Sequence, residues 1–220
     1  MNPLLSVLRR IVLFAVLMAS VVNGLKAQTI RKLGQPEEGF ANNKPLKEVL
    51  MQRMSSRQFD TAAVDEAVIS ALLWSANGIN RPESGRRTAP SALNAQDIDV
   101  YLIDKQGIWI YEPKTHSLKI VVEGDQRLVV AGSQAEFAQA PLFLLLVSDI
   151  SRFRTGEREQ RLEWAALDAG LVAQNVLLFC ASEQLACRPR SWMEKDKLHK
   201  LLNLNEVQLL LLNIPIAPLR

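Results

Sequence analysis

Cysteine and histidine are scarce, with two of each in 220 residues. Cys180 and Cys187 have no histidine near them at ligand spacing, and His116 lies far from His199, so a Cys/His metal centre is not expected. Two cysteines are also too few for a disulfide-framed scaffold. Cys180 lies in an apolar helical stretch and reads as a small packed hydrophobe rather than half of a bridge. No glycine-rich phosphate loop, nucleophile elbow or evident carboxylate pair is present. Their absence excludes the usual signatures of triphosphate, serine-hydrolase and paired-carboxylate chemistry.

Basic charge is lacking where it would matter. The formal net charge is +3, and Arg9, Arg10 and Lys26 account for all of it. Those three belong to a segment with the layout of an export signal. Two arginines precede the apolar run 11–22, and Ala27 offers a small residue for cleavage before Gln28. The run is short of the roughly 20 residues that span a bilayer. No cysteine follows it, which argues against a lipid anchor. The expectation is removal of residues 1–27 and residence in a bacterial periplasm, without stable membrane association; an uncleaved N-terminal anchor is the alternative reading. The neutral remainder gives no global reason to bind nucleic acid. Its roughly 190 residues suffice for one domain.

Residues 28–44 are polar and punctuated by Gly34, Pro36 and Gly39, and read as an extended arm before a domain at 45–220. Helical spacing is expected over 46–54 and over 60–75, the second capped at Asp60-Thr61 and carrying Val64, Val68, Leu72 and Leu73. Residues 78–84 read as a loop. Strands follow at 98–102, with one buried face, and at 108–111 and 118–122 around a Pro113 turn. Residues 128–131 suit a short helix. The apolar run 141–147 suits a central strand covered on both sides. The longest helix is expected over 161–181, apolar on nearly all sides and so buried in a domain or an oligomer. A short helix at 194–202 and a last strand at 208–214, closed by Pro215, complete an α+β chain.

Three segments carry chemistry. Arg53, Ser55 and Arg57 fall at i, i+2 and i+4, so an extended chain puts two guanidinium groups and a hydroxyl on one face, suited to a phosphate dianion. Solvated, unrelated arginines would give the same pattern. Residues 90–96 begin with Pro90 and offer Ser91, Asn94 and main-chain groups before a strand. Residues 185–192, after the long helix, contain Pro189 and Arg190.

In this order and spacing the three segments resemble the nitroreductase family. The resemblance covers nearly all of residues 45–218. It implies an α+β fold with a central mixed, largely antiparallel sheet flanked by helices. It also implies FMN bound without covalent attachment at a homodimer interface, a small-molecule substrate, and NADH or NADPH as a possible reductant. Carried over position by position, Arg53, Met54, Ser55 and Arg57 would hold the FMN phosphate, Met54 through its main chain. Pro90, Ser91, Ala92 and Asn94 would run along the ring. Pro189 and Arg190 would pass over one flavin face or reach the phosphate. Some positions depart from the pattern: Met54 stands where arginine is common, and Ser191 and Ala217 stand where glycine is usual. Arg220 is the only tail candidate for a further basic contact.

The implied reaction is transfer of a hydride through the flavin to a nitroaromatic, quinone or similar conjugated acceptor, with no catalytic acid or base named. Residues 87–91 also resemble the azoline-dehydrogenase branch, which oxidises ring-modified peptides. A flavin-binding protein with little turnover is the third reading. Arg81, Arg86 and Arg87 make the loop before Pro90 basic, suited to an acidic substrate or a reductant's phosphate.

Overall fold

The run Leu142–Asp149 is apolar at every position to Val147 and forms strand β7, whose side chains alternate between two separate cores. Leu144 and Leu146 join one core, while Phe143, Leu145 and Val147 join the other. That division is the period-two geometry of a strand covered on both faces. Each fully buried leucine contributes roughly 1.5–3 kcal/mol by leaving water.

The structure is a computed structural model and describes residues 29–42 and 44–219. The expected signal at 1–27 and the tail residue Arg220 lie outside the described residues. The strands in chain order are β1 (Ile30–Lys32), β2 (Ile79–Arg81), β3 (Arg86–Arg87), β4 (Ile98–Ile103), β5 (Gly107–Glu112), β6 (Ser117–Glu123), β7, β8 (Leu185–Cys187) and β9 (Gln208–Pro218). The α-helices are α1 (Leu46–Gln52), α2 (Glu66–Asn77), α3 (Arg127–Ala131), α4 (Arg158–Ser182) and α5 (Lys195–Leu201). The main sheet runs β1-β6-β5-β4-β7-β9-β8, and β2 pairs only with β3. Every pairing among the described strands is antiparallel.

Helices α2 and α4 cover one sheet face through Leu72, Leu73, Val172 and Val176, packed with Val100, Leu102 and Ile214. The other face is covered by α3, α5 and the 3-10 turn Ala135–Gln139, which bring Val130, Phe137 and Leu198 against Tyr101, Ile103 and Phe143. Helix α4 is long and apolar enough to cross a membrane by length and composition, but in this fold it is the core helix of the domain.

Five sequence expectations change. Residues 28–44 are more than an arm: β1 pairs with β6 as an edge strand, and the turn Pro36–Gly39 lies on α2. A Cβ at Gly39 would collide with the Ala67 carbonyl, so glycine permits that approach. Helix α2 starts at Glu66, because the Asp60 carboxylate accepts from Ala62 N at 3.0 Å and closes a local turn instead of capping a helix. The expected 78–84 loop contains β2, which pairs with β3 in a small hairpin. Strand β4 is buried on both faces rather than one. Strand β9 continues through Pro215 to Pro218. Asn213 N donates to Arg190 O at 2.8 Å, and Pro215, two residues on, turns its nitrogen the same way. Strand β8 ends at Cys187, so no ladder partner there needs the N–H that proline lacks.

Cys180 and Cys187 are both buried free thiols. Burial raises the Cys180 thiol well above its ordinary range, and the Cys187 thiol beside it adds to the rise.

Candidate functional site

Helix α1 ends at Gln52, and the chain leaves it extended, with Arg53 N still donating to Val49 O at 2.9 Å. Ser56 N then donates to Cys187 O at 2.9 Å, which pins the segment to β8. Ser56 and Phe59 point inward and are buried; the Phe59 ring packs edge-on against Phe137 at 5.6 Å. Ser55 and Arg57 therefore point outward. They line a cavity of about 480 Å³ with Met54, Ala186, Pro218 and Leu219. That volume lies within the range of cofactor sites. Arg53 is half-buried beside this lining rather than part of it. Among the described residues no hydrogen bond or ion pair engages the guanidinium of Arg53 or Arg57. Two uncommitted cations flanking an exposed hydroxyl fit a phosphate group.

Residues 90–96 form a constrained turn. Leu93, Asn94 and Gln96 have φ of 53°, 53° and 50°, in the left-handed region. Each such residue costs on the order of 1 kcal/mol, so the surroundings must hold the turn in place. Ser91 Oγ accepts from Gln96 N at 2.9 Å. Both Asp168 oxygens accept from Ala92 N, at 3.1 and 2.9 Å. The Gln96 side chain bonds Gly85 O and Arg87 Nε, and Arg152 Nη1 donates to Gln96 O at 2.8 Å. Pro90, Leu93 and Asn94 remain exposed. The Ala92 main-chain N–H is spent inside the protein on Asp168, so a ligand contact at that position must use its other atoms.

Behind this turn lies a carboxyl pair that the sequence did not announce. Asp97 on the approach to β4 and Asp168 in α4 are both buried. Burial lifts the Asp97 carboxyl to about 7; the Ser148 hydroxyl opposes the rise, and Asp168 adds to it. Ser148 Oγ donates to Asp97 Oδ2 at 2.5 Å. The available signal was Asp168 itself, the one acid between Glu163 and Glu183 in an otherwise apolar helix.

Arg190 is a correction. It is 6% exposed and its guanidinium is fully committed. Nη1 donates to Asn213 Oδ1 and Nη2 to Ala131 O, both at 2.8 Å, while Nε and Nη2 both reach Gln134 Oε1. The group also lies 4.4 Å over the Phe137 ring. A guanidinium so enclosed cannot reach a phosphate or a flavin, and it fixes the 188–193 segment instead. Pro189 is half-buried on that segment. The arginines of the basic loop mostly bond within the chain, although Arg81 and Arg86 are exposed. Arg87 donates to Asn77 O and Gln96, and Arg81 to Arg87 O and Asn80. Arg86 alone of the three is exposed with no such bond among the described residues.

The two principal motifs do not meet within one chain. Residues 90–96 are clamped at Asp168, whereas Cys180, Ala181 and Gln184 line a second cavity, of about 440 Å³, together with Gln52 and Met54. At 1.5 Å per residue, Asp168 and Ala181 are about 20 Å apart along the α4 axis. Between and beside them α4 exposes Leu167, Gly170, Leu171 and Gln174, with Leu167 60% exposed. A Cβ at Gly170 would meet open space.

A family model described as the nitroreductase family matches residues 50–216. A candidate nitroreductase of Methanocaldococcus jannaschii is 25% identical over 178 residues, which is 77% of this chain and 89% of that protein. A solved candidate nitroreductase of Ralstonia eutropha superposes with a TM-score of 0.80 at 31% identity, covering 89% of this chain and 92% of that one. A candidate NAD(P)H:FMN oxidoreductase of Staphylococcus epidermidis shares the fold, with a TM-score of 0.62 at 12% identity over 81% of this chain and 89% of its own.

Proposed function

The chain belongs to the nitroreductase family of FMN-dependent oxidoreductases, and on that premise we propose that it is an exported enzyme reducing a nitroaromatic, quinone or similarly conjugated acceptor through bound flavin. The observation that carries the cofactor assignment is the pair Arg53 and Arg57 around Ser55, uncommitted among the described residues, beside a cavity of about 480 Å³.

When bound, FMN supplies the hydride chemistry that no side chain can. The protein binds and orients. Arg53 and Arg57 neutralise the phosphate, and the Ser55 hydroxyl donates to it. Asn94 presents its amide to the polar edge of the ring from a turn braced by Asp168 and Arg152, while Leu93 offers an apolar surface beside it. Pro189 brings main chain past one face. Preformed donors of this kind orient a ligand without ordering cost.

The separation of the two motifs along α4 supports a homodimer. Antiparallel contact of two α4 helices about a two-fold axis near Gln174 sets the 90–96 turn of one copy beside the 53–57 segment of the other. The exposed stripe of Leu167, Gly170 and Leu171 supports that contact. Each dimer then has two composite sites, one at each end of the paired helices.

Export rests on the signal pattern of residues 1–27. Nicotinamide cofactors are scarce outside the cytoplasm, so NADH or NADPH serves as the laboratory reductant and another donor acts in place. Protein recovered from a periplasmic fraction is expected to begin near Gln28; a chain retained in the cytoplasm at full length would overturn export.

Purified mature protein is expected to be yellow and to release FMN on denaturation. Colourless protein that takes up no added FMN overturns the assignment. Flavin reduction by a ring-modified peptide without nicotinamide would instead place the chain with azoline dehydrogenases. Stable FMN binding with no turnover from any donor would make it a flavin-binding protein.

A further inference from the structure

Asp97 and Asp168 are far apart in sequence, yet both carboxyl groups are buried beneath the 90–96 turn, 0% and 3% exposed, and Asp168 acts on the Asp97 carboxyl both as a hydrogen-bond partner and as a neighbouring charge. Asp97 Oδ2 accepts the Ser148 hydroxyl proton, and both Asp168 oxygens accept the Ala92 N–H. Asp97 Oδ1 is buried and receives no donor among the described residues. Two carboxylates cannot lie side by side out of water with both ionised. An oxygen that no donor reaches, facing a neighbouring carboxylate, is where a shared proton belongs.

We propose that Asp97 and Asp168 hold one proton between them and serve as positioning residues for the 90–96 turn. With the proton on Asp97 Oδ1, that group donates to Asp168, and Asp168 remains the carboxylate that fixes Ala92 N–H. Loss of the proton places two negative charges in contact and slackens the clamp. Three left-handed residues then lose part of what holds them.

The one nearby cation relieves the pair only in part, because other acids share it. Ser148 approaches from β7 as a neutral donor. Arg152, on the turn after β7, is the nearby cation, but it is bound to Asp99 at 2.6 Å and to Gln96 O, with Asp149 at 3.5 Å. Asp99 and Asp149 are themselves acids. Asp168 is the charged group reaching the site from α4. Burial and the neighbouring carboxylate both act to retain the proton, which places its loss near neutral pH.

The effect on the cofactor rests on the flavin reading of the turn, but the proton and the clamp can be read without flavin. In apoprotein, carboxyl carbon NMR is expected to show one group titrating near neutrality that disappears in Asp97→Asn. The exchange protection of the Ala92 amide, corrected for intrinsic rate, is expected to fall over the same pH range in the wild type. In Asp97→Asn, whose amide donates at every pH, it should stay level. FMN affinity of the wild type is expected to weaken about tenfold on the alkaline side, the size of one lost clamp. That limb should vanish in Asp97→Asn. Asp168→Ala, if it folds, binds FMN weakly at all pH. Absence of a neutral-range carboxyl titration, or an unchanged Ala92 profile in Asp97→Asn, overturns the proposal. A normal titration and normal Ala92 response in protein that never binds FMN overturn the flavin assignment and leave the shared proton standing.

Discussion

Arg190 and Asn213 are joined four ways: their main chains exchange two bonds of 2.8 Å, Arg190 Nη1 adds a third to Asn213 Oδ1 at 2.8 Å, and Asn213 Nδ2 a fourth to Arg190 O at 3.3 Å. This bridge continues the β8 side of β9 past the gap at Pro215. Arg190→Ala leaves the buried oxygens of Asn213 and Ala131 without their donor, as well as Gln134. At about 1–3 kcal/mol for each unpaired group, a loss of roughly 3 kcal/mol or more in urea unfolding is expected. If stability held and only FMN affinity fell, Arg190 would be a ligand contact after all.

Arg53 and Arg57 are expected to behave in the opposite way. Neither guanidinium braces the fold among the described residues, so Arg53→Ala and Arg57→Ala should unfold at nearly the wild-type urea midpoint. Each is expected to weaken FMN binding by about 1.5–3 kcal/mol, roughly ten- to hundredfold, in a fluorescence titration. Unchanged affinity in both variants would move the phosphate elsewhere.

His116 gives a pH prediction whose sign follows from a hydrogen-bond chain. Ser70 Oγ gives its proton to Gly34 O, so it accepts from His116 Nε2, and the bare Nδ1 accepts from Tyr111 Oη. The imidazole is therefore neutral, and burial lowers its pKa, against a nearby Gly34 carbonyl and Glu37. A depressed folded pKa means that the stability is present above about pH 6.5, the unfolded value, and is lost as pH falls through the folded one. His116→Asn tolerates the φ of 45° at this position and does not titrate. The melting-temperature advantage of wild type over this variant is expected to shrink as pH drops below about 6.5. An advantage that is constant with pH would contradict the neutral assignment.

Gly170 tests the paired arrangement of α4. Open space at its Cβ means that Gly170→Trp should still fold, with the circular-dichroism spectrum of the wild type. Light scattering is expected to show a monomer that no longer retains FMN. A persistent dimer with normal FMN content would place the contact on another face.

The sheet was legible because β7 and β9 are apolar runs of strand length and β5–β6 flank a turn, patterns that report burial directly. The cationic segment was legible because its period matches an extended chain. What could not be read was the direction in which a charged side chain turns. Arg57 and Arg190 look alike in sequence, but Arg57 lies at a cavity while Arg190 is enclosed by Asn213, Gln134 and Phe137. Asp97 and Asp168 were hidden for a similar reason. Their meeting depends on how α4 lies across β4, which no local spacing encodes. The extent of β9 was underestimated because proline usually ends a strand, and only the gap beyond Cys187 makes Pro215 harmless.

The 20 Å of rigid helix between the Asp168 clamp and the Met54 cavity has a genetic consequence. A copy carrying Arg57→Ala and a copy carrying Asn94→Ala are each damaged in a different half of the site, and each alone assembles two defective sites. Co-expressed, they are expected, in the proposed dimer, to form mixed pairs in which the intact 53–57 segment of one copy faces the intact 90–96 turn of the other. With random pairing, about a quarter of all sites are restored. Two inactive alleles would complement each other, which a protein with its whole site in one chain cannot do.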